Sequence, residues 1–460
     1  MPRIKAQTVG HSGSSPSVKE SSSRSAPPER APKIKKNEKK KLTKRQARKA
    51  AEEKFVGKAN DNSPDAWAAQ INKSEKFKGV VQVGYASDID TPYDLRRPSG
   101  IPSLDIALGG GFHAGGFVQV YGAESVGKTF LAYRTAGILQ RNYGDRARIL
   151  IVPTEIRTDK TFARKAGFCI AYSPREIALF NQKRLERNLP PFTPEEIADL
   201  QLQIGKVFYD VGSTGDKQLD AVVKAMEMGA FDLIIFESLG AILTPDQEAG
   251  DTGDRVYGGS AAILTNFVNK VYTYFMMNRP DGSMLETTVF LINQARAEIG
   301  GSPRGPKTHA AAGAYAVKHA LLASIELNKS SPIKGSENGP VIGREVRWEI
   351  TKGKAGTHDG RKGTYNYYHV PDDNPMFWSK VNTDGLSWGI DIITDLVEES
   401  TRLGIIEVAG SWMTWSEGEN VVVRCQGTQK MVEVLAADPE LEKRLLDRCL
   451  YVANLQVRYT

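Results

Sequence analysis

The strongest chemical signal in the chain is a run of eight residues, Gly122, Ala123, Glu124, Ser125, Val126, Gly127, Lys128 and Thr129. Two glycines separated by four residues and followed by lysine and a hydroxyl side chain form a phosphate-binding loop. The glycines let backbone N–H groups close on an anion, and the start of the following helix adds its partial positive charge. Lys128 is placed to neutralise β- and γ-phosphates, and the Thr129 hydroxyl to hold Mg²⁺. The expected ligands are therefore ATP and Mg²⁺.

The elements that must hold such a loop are present. Residues 117–121 read as a buried strand before it and 130–139 as a helix after it. Three more short apolar runs end in polar residues: 148–154 before Glu155, 231–236 before Glu237 and Ser238, and 287–292 before Asn293 and Gln294. Short apolar strands alternating with helix-like stretches predict a mostly parallel α/β sheet. Ligands in such sheets sit at the carboxyl ends of the strands, so these polar tips converge on the phosphate loop. Glu237 is a candidate to orient Mg²⁺ through water, Glu155 to polarise an attacking water, and Gln294 to sense the γ-phosphate.

In these residues the chain resembles RecA-type homologous recombinases. The resemblance rests on 99–111, the loop 122–129, Glu155 with Asp159, Phe162 and 163–165, Leu243-Thr-Pro, Asn293-Gln294-Ala-Arg296 with Ile299-Gly300, Lys352-Gly-Lys354, and 409–415. It spans roughly residues 65–455 and implies a RecA-like ATPase core with a small C-terminal α/β domain. It further implies that Glu155 is the catalytic glutamate, that Asp159 contacts the adenine amino group, and that Phe162 stacks on the ring. Lys352 and Lys354 would reach the ATP of a neighbouring subunit, which requires a head-to-tail helical filament. The sequence departs from the family where Glu237 replaces the usual Asp, where 311–315 replaces a Gly-Gly-Asn ending, and where His319 stands at a commonly aromatic position.

Two Gly-rich segments, about 248–259 and 295–313, are expected to be DNA-binding loops. Arg255, Tyr257, Arg296, Ile299, Arg304 and Lys307 are the candidate contacts, cations for phosphate and Tyr257 and Ile299 as wedges between bases. The expected partners are single-stranded DNA, double-stranded DNA and further copies of the same chain. The expected activity is a DNA-dependent ATPase that pairs and exchanges strands in recombination and repair. A hexameric helicase on the same core and a nucleotide-gated DNA-binding scaffold with little hydrolysis are the alternatives.

Charge divides the chain. Residues 1–60 hold 17 Lys/Arg against 5 Asp/Glu, leaving 44 against 49 in the other 400, so a net +7 is +12 in the tail and −5 in the body. Residues 1–62 are rich in Ser, Pro and Lys and read as a disordered basic tail, suited to nucleic acid or to an address signal. The expected organisation continues with a subunit-packing helix and strand at 63–95, the ATPase core at 96–380 and the C-terminal domain at 381–460. Three cysteines without CxxC spacing exclude a disulfide scaffold and a cysteine zinc cluster. No apolar run reaches membrane-spanning length and no signal-peptide core begins the chain, so the expected location is cytoplasmic and DNA-associated. Trp412 and Trp415 read as packing residues of the C-terminal lobe.

Overall fold

The computed structural model describes residues 64–75, 95–154, 159–210, 215–239, 242, 259–276, 283–297, 308–310, 315–334, 336–368, 386–387 and 389–458. The basic tail, Glu155, Leu243-Thr-Pro and most of both Gly-rich segments lie outside the described residues. The chain divides into two compact units, Met1–Trp67 and Ala68–Thr460. Helix α1 is Pro64–Lys73.

In the second unit a short ribbon of β1 (Arg96–Arg97) and β2 (Phe112–His113) brackets helix α2 (Pro102–Ala107). The central elements then follow in order: β3 (Gly116–Gly122), α3 (Lys128–Tyr143), β4 (Arg148–Pro153), α4 (Lys160–Lys165), α5 (Pro174–Glu186), α6 (Pro194–Gln201), β5 (Lys206–Tyr209), α7 (Asp216–Met228), β6 (Leu233–Glu237), α8 (Gly259–Met276) and β7 (Thr288–Ala297). After these come β8 (Thr308–Ala310), α9 (Tyr315–Ala320), β9 (Leu321–Lys334), β10 (Val341–Gly353), β11 (Lys362–Tyr368), β12 (Leu386–Ser387) and β13 (Ile390–Asp391). The C-terminal lobe is built from α10 (Ile392–Arg402), β14 (Ile406–Ala409), β15 (Trp412–Glu417), β16 (Asn420–Gln426), α11 (Thr428–Ala437) and α12 (Pro439–Arg458).

The large sheet runs β12-β13-β11-β10-β9-β3-β7-β6-β4-β5, with β8 on the extension of β7. The strands from β9 to β5 are mutually parallel, and β10, β11, β13 and β12 add antiparallel pairings. The expected α/β class and mostly parallel core hold. A two-residue side-chain period sorts each strand between two cores. Val118, Val120, Leu233, Ile235, Phe290 and Ile292 face one cluster with α3. Phe117, Ile234, Phe236, Val289 and Leu291 face the other, with α7 and α8. Burial on both faces is why these strands read as unbroken apolar runs.

Helices α5 and α6 form a hairpin over a small core of Tyr172, Ile177, Phe192 and Leu200. Each starts at a capping box, Ser173 with Glu176 and Thr193 with Glu196, and each has proline in its first turn.

The lobe packs its own core around Trp415, which is fully buried, while Trp412 is 45% exposed. Residues three apart on one strand lie on opposite faces, so the two tryptophans cannot share the packing role expected of both. Trp412 instead carries Arg424 over its ring, 5.3 Å from the centroid.

Asp395 of α10 ties the lobe to the core by accepting the Ser103 backbone N–H at 2.7 Å. Burial first, opposed by that bond and reinforced by Glu399 and Glu398, pushes its pKa up to about 7. A carboxyl raised on folding contributes stability that is complete below its ordinary range and is lost as pH rises through about 7. Asp395→Asn keeps an acceptor without the charge. At pH 8 it should be more stable than wild type by about 1–2 kcal/mol, the difference vanishing near pH 4. Urea unfolding at both pH values checks this; a variant less stable than wild type at pH 8 contradicts it.

Candidate nucleotide site

The phosphate loop joins the central strand β3 to α3, as the sequence predicts. Gly122 has φ +159°, and a Cβ there would lie 2.2 Å from the Leu327 carbonyl oxygen of β9, so the close strand approach admits only glycine. Gly127 caps α3 with φ +100° in the left-handed region. Lys128 Nζ folds back onto the loop and donates to the carbonyls of Gly122 at 3.0 Å and Ala123 at 2.5 Å.

Register brings the neighbouring tips level. Gly122 aligns with Gln294 across β3 and β7, Glu237 with Ile292 across β6 and β7, and Pro153 with Glu237 across β4 and β6. Around these ends lies a cavity of about 680 Å³, lined by residues 122–130, Tyr133, Asp159, Phe162, Glu237, Ser238, Ile292, Gln294 and Ala295. This volume falls in the ordinary range for small-ligand sites. Its glycine cradle, lysine, hydroxyl and carboxylate are the donor set a nucleoside triphosphate with Mg²⁺ requires, so the residues present fit both groups.

Each wall has a local cause. Asp159 caps α4 by accepting the Thr161 N–H at 2.8 Å. Phe162 stands edge-on to Phe130 at 6.4 Å between ring centroids. Glu237 Oε2 accepts a hydrogen bond from the Tyr133 hydroxyl at 2.7 Å. The Glu237–Ser238 peptide is cis, and the Ser238 N–H donates to Thr154 Oγ1 at 2.7 Å, tying the ends of β4 and β6 together.

A buried polar ladder lies beneath Gln294. Asn293 accepts the Gln294 N–H at 2.9 Å and donates to Gln119 Oε1 at 3.3 Å. Gln119 donates to Ser324 Oγ at 3.3 Å, and Thr351 Oγ1 donates to the same atom at 3.2 Å. The ladder therefore crosses β7, β3, β9 and β10, ending beside Lys352.

One sequence expectation changes here. Gln294 is not the last residue of its strand. β7 continues to Ala297 because β8 supplies an antiparallel partner, with Ala295 opposite Ala310 and Ala297 opposite Thr308. Lys352 and Lys354 are not among the described residues lining the cavity. Their ammonium groups sit on the carbonyls that end α9: Lys352 on Lys318 and His319, Lys354 on His319 at 3.0 Å, a placement that suits cations at a helix C-terminus. Tyr133 was not anticipated, although it follows Thr129 by four residues and so lies on the same helix face. Arg296 is described only as backbone in β7, and Glu155, Arg255, Tyr257, Ile299, Arg304 and Lys307 lie outside the described residues.

The family model for the RecA N-terminal domain matches residues 191–359. Protein RecA of Thermus thermophilus is 26% identical over 356 residues, covering 77% of this chain and 84% of the relative. Protein RecA of Corynebacterium urealyticum is 25% identical over 390 residues, covering 84% and 85%. Over most of its length the chain is similar to RecA proteins. Protein RecA of Rickettsia bellii is 24% identical over 392 residues, covering 84% of this chain and 93% of the relative. Among solved structures, the RadB recombinase matches with a TM-score of 0.35 and 19% identity over 60% of this chain and 97% of that one. At the end of β6 this chain has Glu237, one methylene longer than an aspartate. Among the described residues, no helix is long and apolar enough to cross a membrane.

Proposed function

We propose that this chain is an ATP-dependent DNA recombinase that assembles as a helical filament on single-stranded DNA, pairs it with homologous duplex and exchanges strands in recombination and repair. The observation that carries the reading is the convergence of the phosphate loop, Glu237 and Gln294 on one cavity at the carboxyl ends of adjacent parallel strands. ATP is the substrate. Residues 122–127 cradle its phosphates, Asp159 and Phe162 hold the adenine, and Lys128 meets the charge on the β- and γ-phosphates. Thr129 and Glu237 would hold Mg²⁺, which when bound supplies further charge neutralisation at the phosphates. Glu155 accepts a proton from the attacking water, and Gln294 senses the γ-phosphate. Lys352 and Lys354 of one subunit complete the site of the next, which needs a non-closing head-to-tail contact. Arg255, Tyr257, Arg296, Ile299, Arg304 and Lys307 contact DNA, and the basic tail adds salt-dependent affinity. The location is cytoplasmic and DNA-associated.

ATP turnover with and without single-stranded DNA, for wild type and Glu155→Gln, tests the reading. Single-stranded DNA should raise wild-type turnover at least about tenfold, and Glu155→Gln should lower it by roughly 10²–10⁴-fold, the range for loss of a general base. Turnover indifferent to DNA overturns the recombinase reading. Electron microscopy of the ATP complex should show filaments; closed rings would favour a helicase.

A further inference from the structure

We infer that Tyr133 is a positioning residue for Glu237, and that the two side chains form a matched pair which orients the metal-strand carboxylate. The inference rests on the reading of the cavity as a Mg²⁺·ATP site and deepens it.

Glutamate has one more rotatable bond than aspartate, so at the end of β6 its carboxylate samples more orientations before any ligand arrives. Here the Tyr133 hydroxyl donates to Glu237 Oε2 at 2.7 Å. That bond fixes the last side-chain rotation and so sets the direction of both carboxylate oxygens. The donor itself is rigid. Tyr133 is 1% exposed, and its ring packs on Phe162 at 6.2 Å and Phe168 at 5.7 Å between centroids. Its backbone belongs to α3 one turn beyond Thr129, so the two hydroxyls follow one another along the same helix face toward β6. A shorter aspartate at 237 would draw its oxygens back by about one C–C bond, roughly 1.5 Å, and leave a buried phenol without this acceptor. The longer acid and the tyrosine thus account for one another. The Phe162 contact further connects the carboxylate to the wall assigned to adenine.

The test uses the full chain as wild type, Tyr133→Phe, Glu237→Asp and the double variant. Binding of a fluorescent non-hydrolysable ATP analogue is titrated with Mg²⁺, and thermal midpoints are taken without ligand. Phenylalanine keeps the ring packing, so the Tyr133→Phe midpoint should stay within a few degrees of wild type. Losing a hydrogen bond to a charged group should raise the Mg²⁺ concentration for half-maximal binding roughly tenfold. In the Glu237→Asp background, where the hydroxyl has no carboxylate in reach, its removal should change that concentration less than twofold. A shift below twofold for Tyr133→Phe alone, or equal shifts in both backgrounds, overturns the pairing while leaving the nucleotide site intact. Wild-type binding that ignores Mg²⁺ instead removes the metal reading, and the pairing falls with it. Should Tyr133→Phe fail to fold, Glu237→Gln decides: it keeps the length and an acceptor for the hydroxyl but lowers the charge. The pairing then stands if Glu237→Asp raises the Mg²⁺ requirement at least as much as Glu237→Gln, and falls if Glu237→Asp matches wild type.

Discussion

Lys128→Ala should lower ATP turnover by roughly 10²–10³-fold, the range for removing a preorganised group that stabilises transition-state charge. Lys128 is the first residue of α3, where backbone N–H groups and the helix dipole already favour an anion. Its ammonium lies on the carbonyls of Gly122 and Ala123, within the loop that would receive the phosphates. Those bonds replace none of the sheet's own pairing, so their loss should cost little global stability. The expected signature is collapse of turnover and triphosphate affinity with a thermal midpoint within a few degrees of wild type. Lys128→Arg should not restore activity, because a planar guanidinium cannot occupy the position of a compact ammonium. Turnover within threefold of wild type for the alanine variant would remove this cavity as the hydrolytic site. A large fall in thermal midpoint would instead assign Lys128 to holding the loop.

The central strands were legible because burial on both faces leaves an apolar run that turn residues and polar tips delimit. The expected runs 117–121, 148–154, 231–236 and 287–292 coincide with β3, β4, β6 and β7 of the large sheet, the last three overrunning an observed strand end by one or two residues. The α5–α6 hairpin was not singled out, although Ser173-Pro-Arg-Glu176 and Thr193-Pro-Glu-Glu196 both carry the local signature of a capped helix start. The extension of β7 was invisible because it depends on β8, thirteen residues further on, and Ala295–Arg296–Ala297 carries no strand signal of its own. Tyr133 was missed for a similar reason. Its chemistry exists only when β6 lies against α3 and Glu237 comes within reach, and helical spacing from Thr129 shows only that it faces the same way. Strand periodicity puts Trp412 and Trp415, three residues apart, on opposite faces, a signal that the packing role expected of both overlooks. Local pattern therefore identified the loop and the strand tips, while pairings between distant segments determined what the tips do.

Gln294→Ala should leave ATP binding within about threefold of wild type and remove most of the gain in single-stranded DNA affinity that ATP confers, a coupling of roughly 1–3 kcal/mol in ordinary allosteric systems. The argument begins below the side chain. Asn293 is fully buried and held through Gln119 and Ser324 to Thr351, so the backbone at Gln294 has a fixed base. Above that base, the Gln294 side chain is exposed and lines the cavity at the level of Gly122. Three residues further on, β7 still pairs with β8, and the segment between those two strands holds Ile299, Arg304 and Lys307, the candidate DNA contacts. A γ-phosphate that engages the amide would favour one arrangement of the side chain and, through the β7–β8 ribbon, one arrangement of the segment beyond it. Alanine removes the amide while keeping Asn293, the ladder and the strand. DNA affinity measured over a range of salt, with and without a non-hydrolysable ATP analogue, reads the coupling directly. An ATP-dependent gain equal to wild type at every salt concentration would show that the nucleotide reaches DNA by another route. The remaining structural candidate would then be the ladder itself, which ends beside Lys352, and Gln119→Leu would be the variant that breaks it.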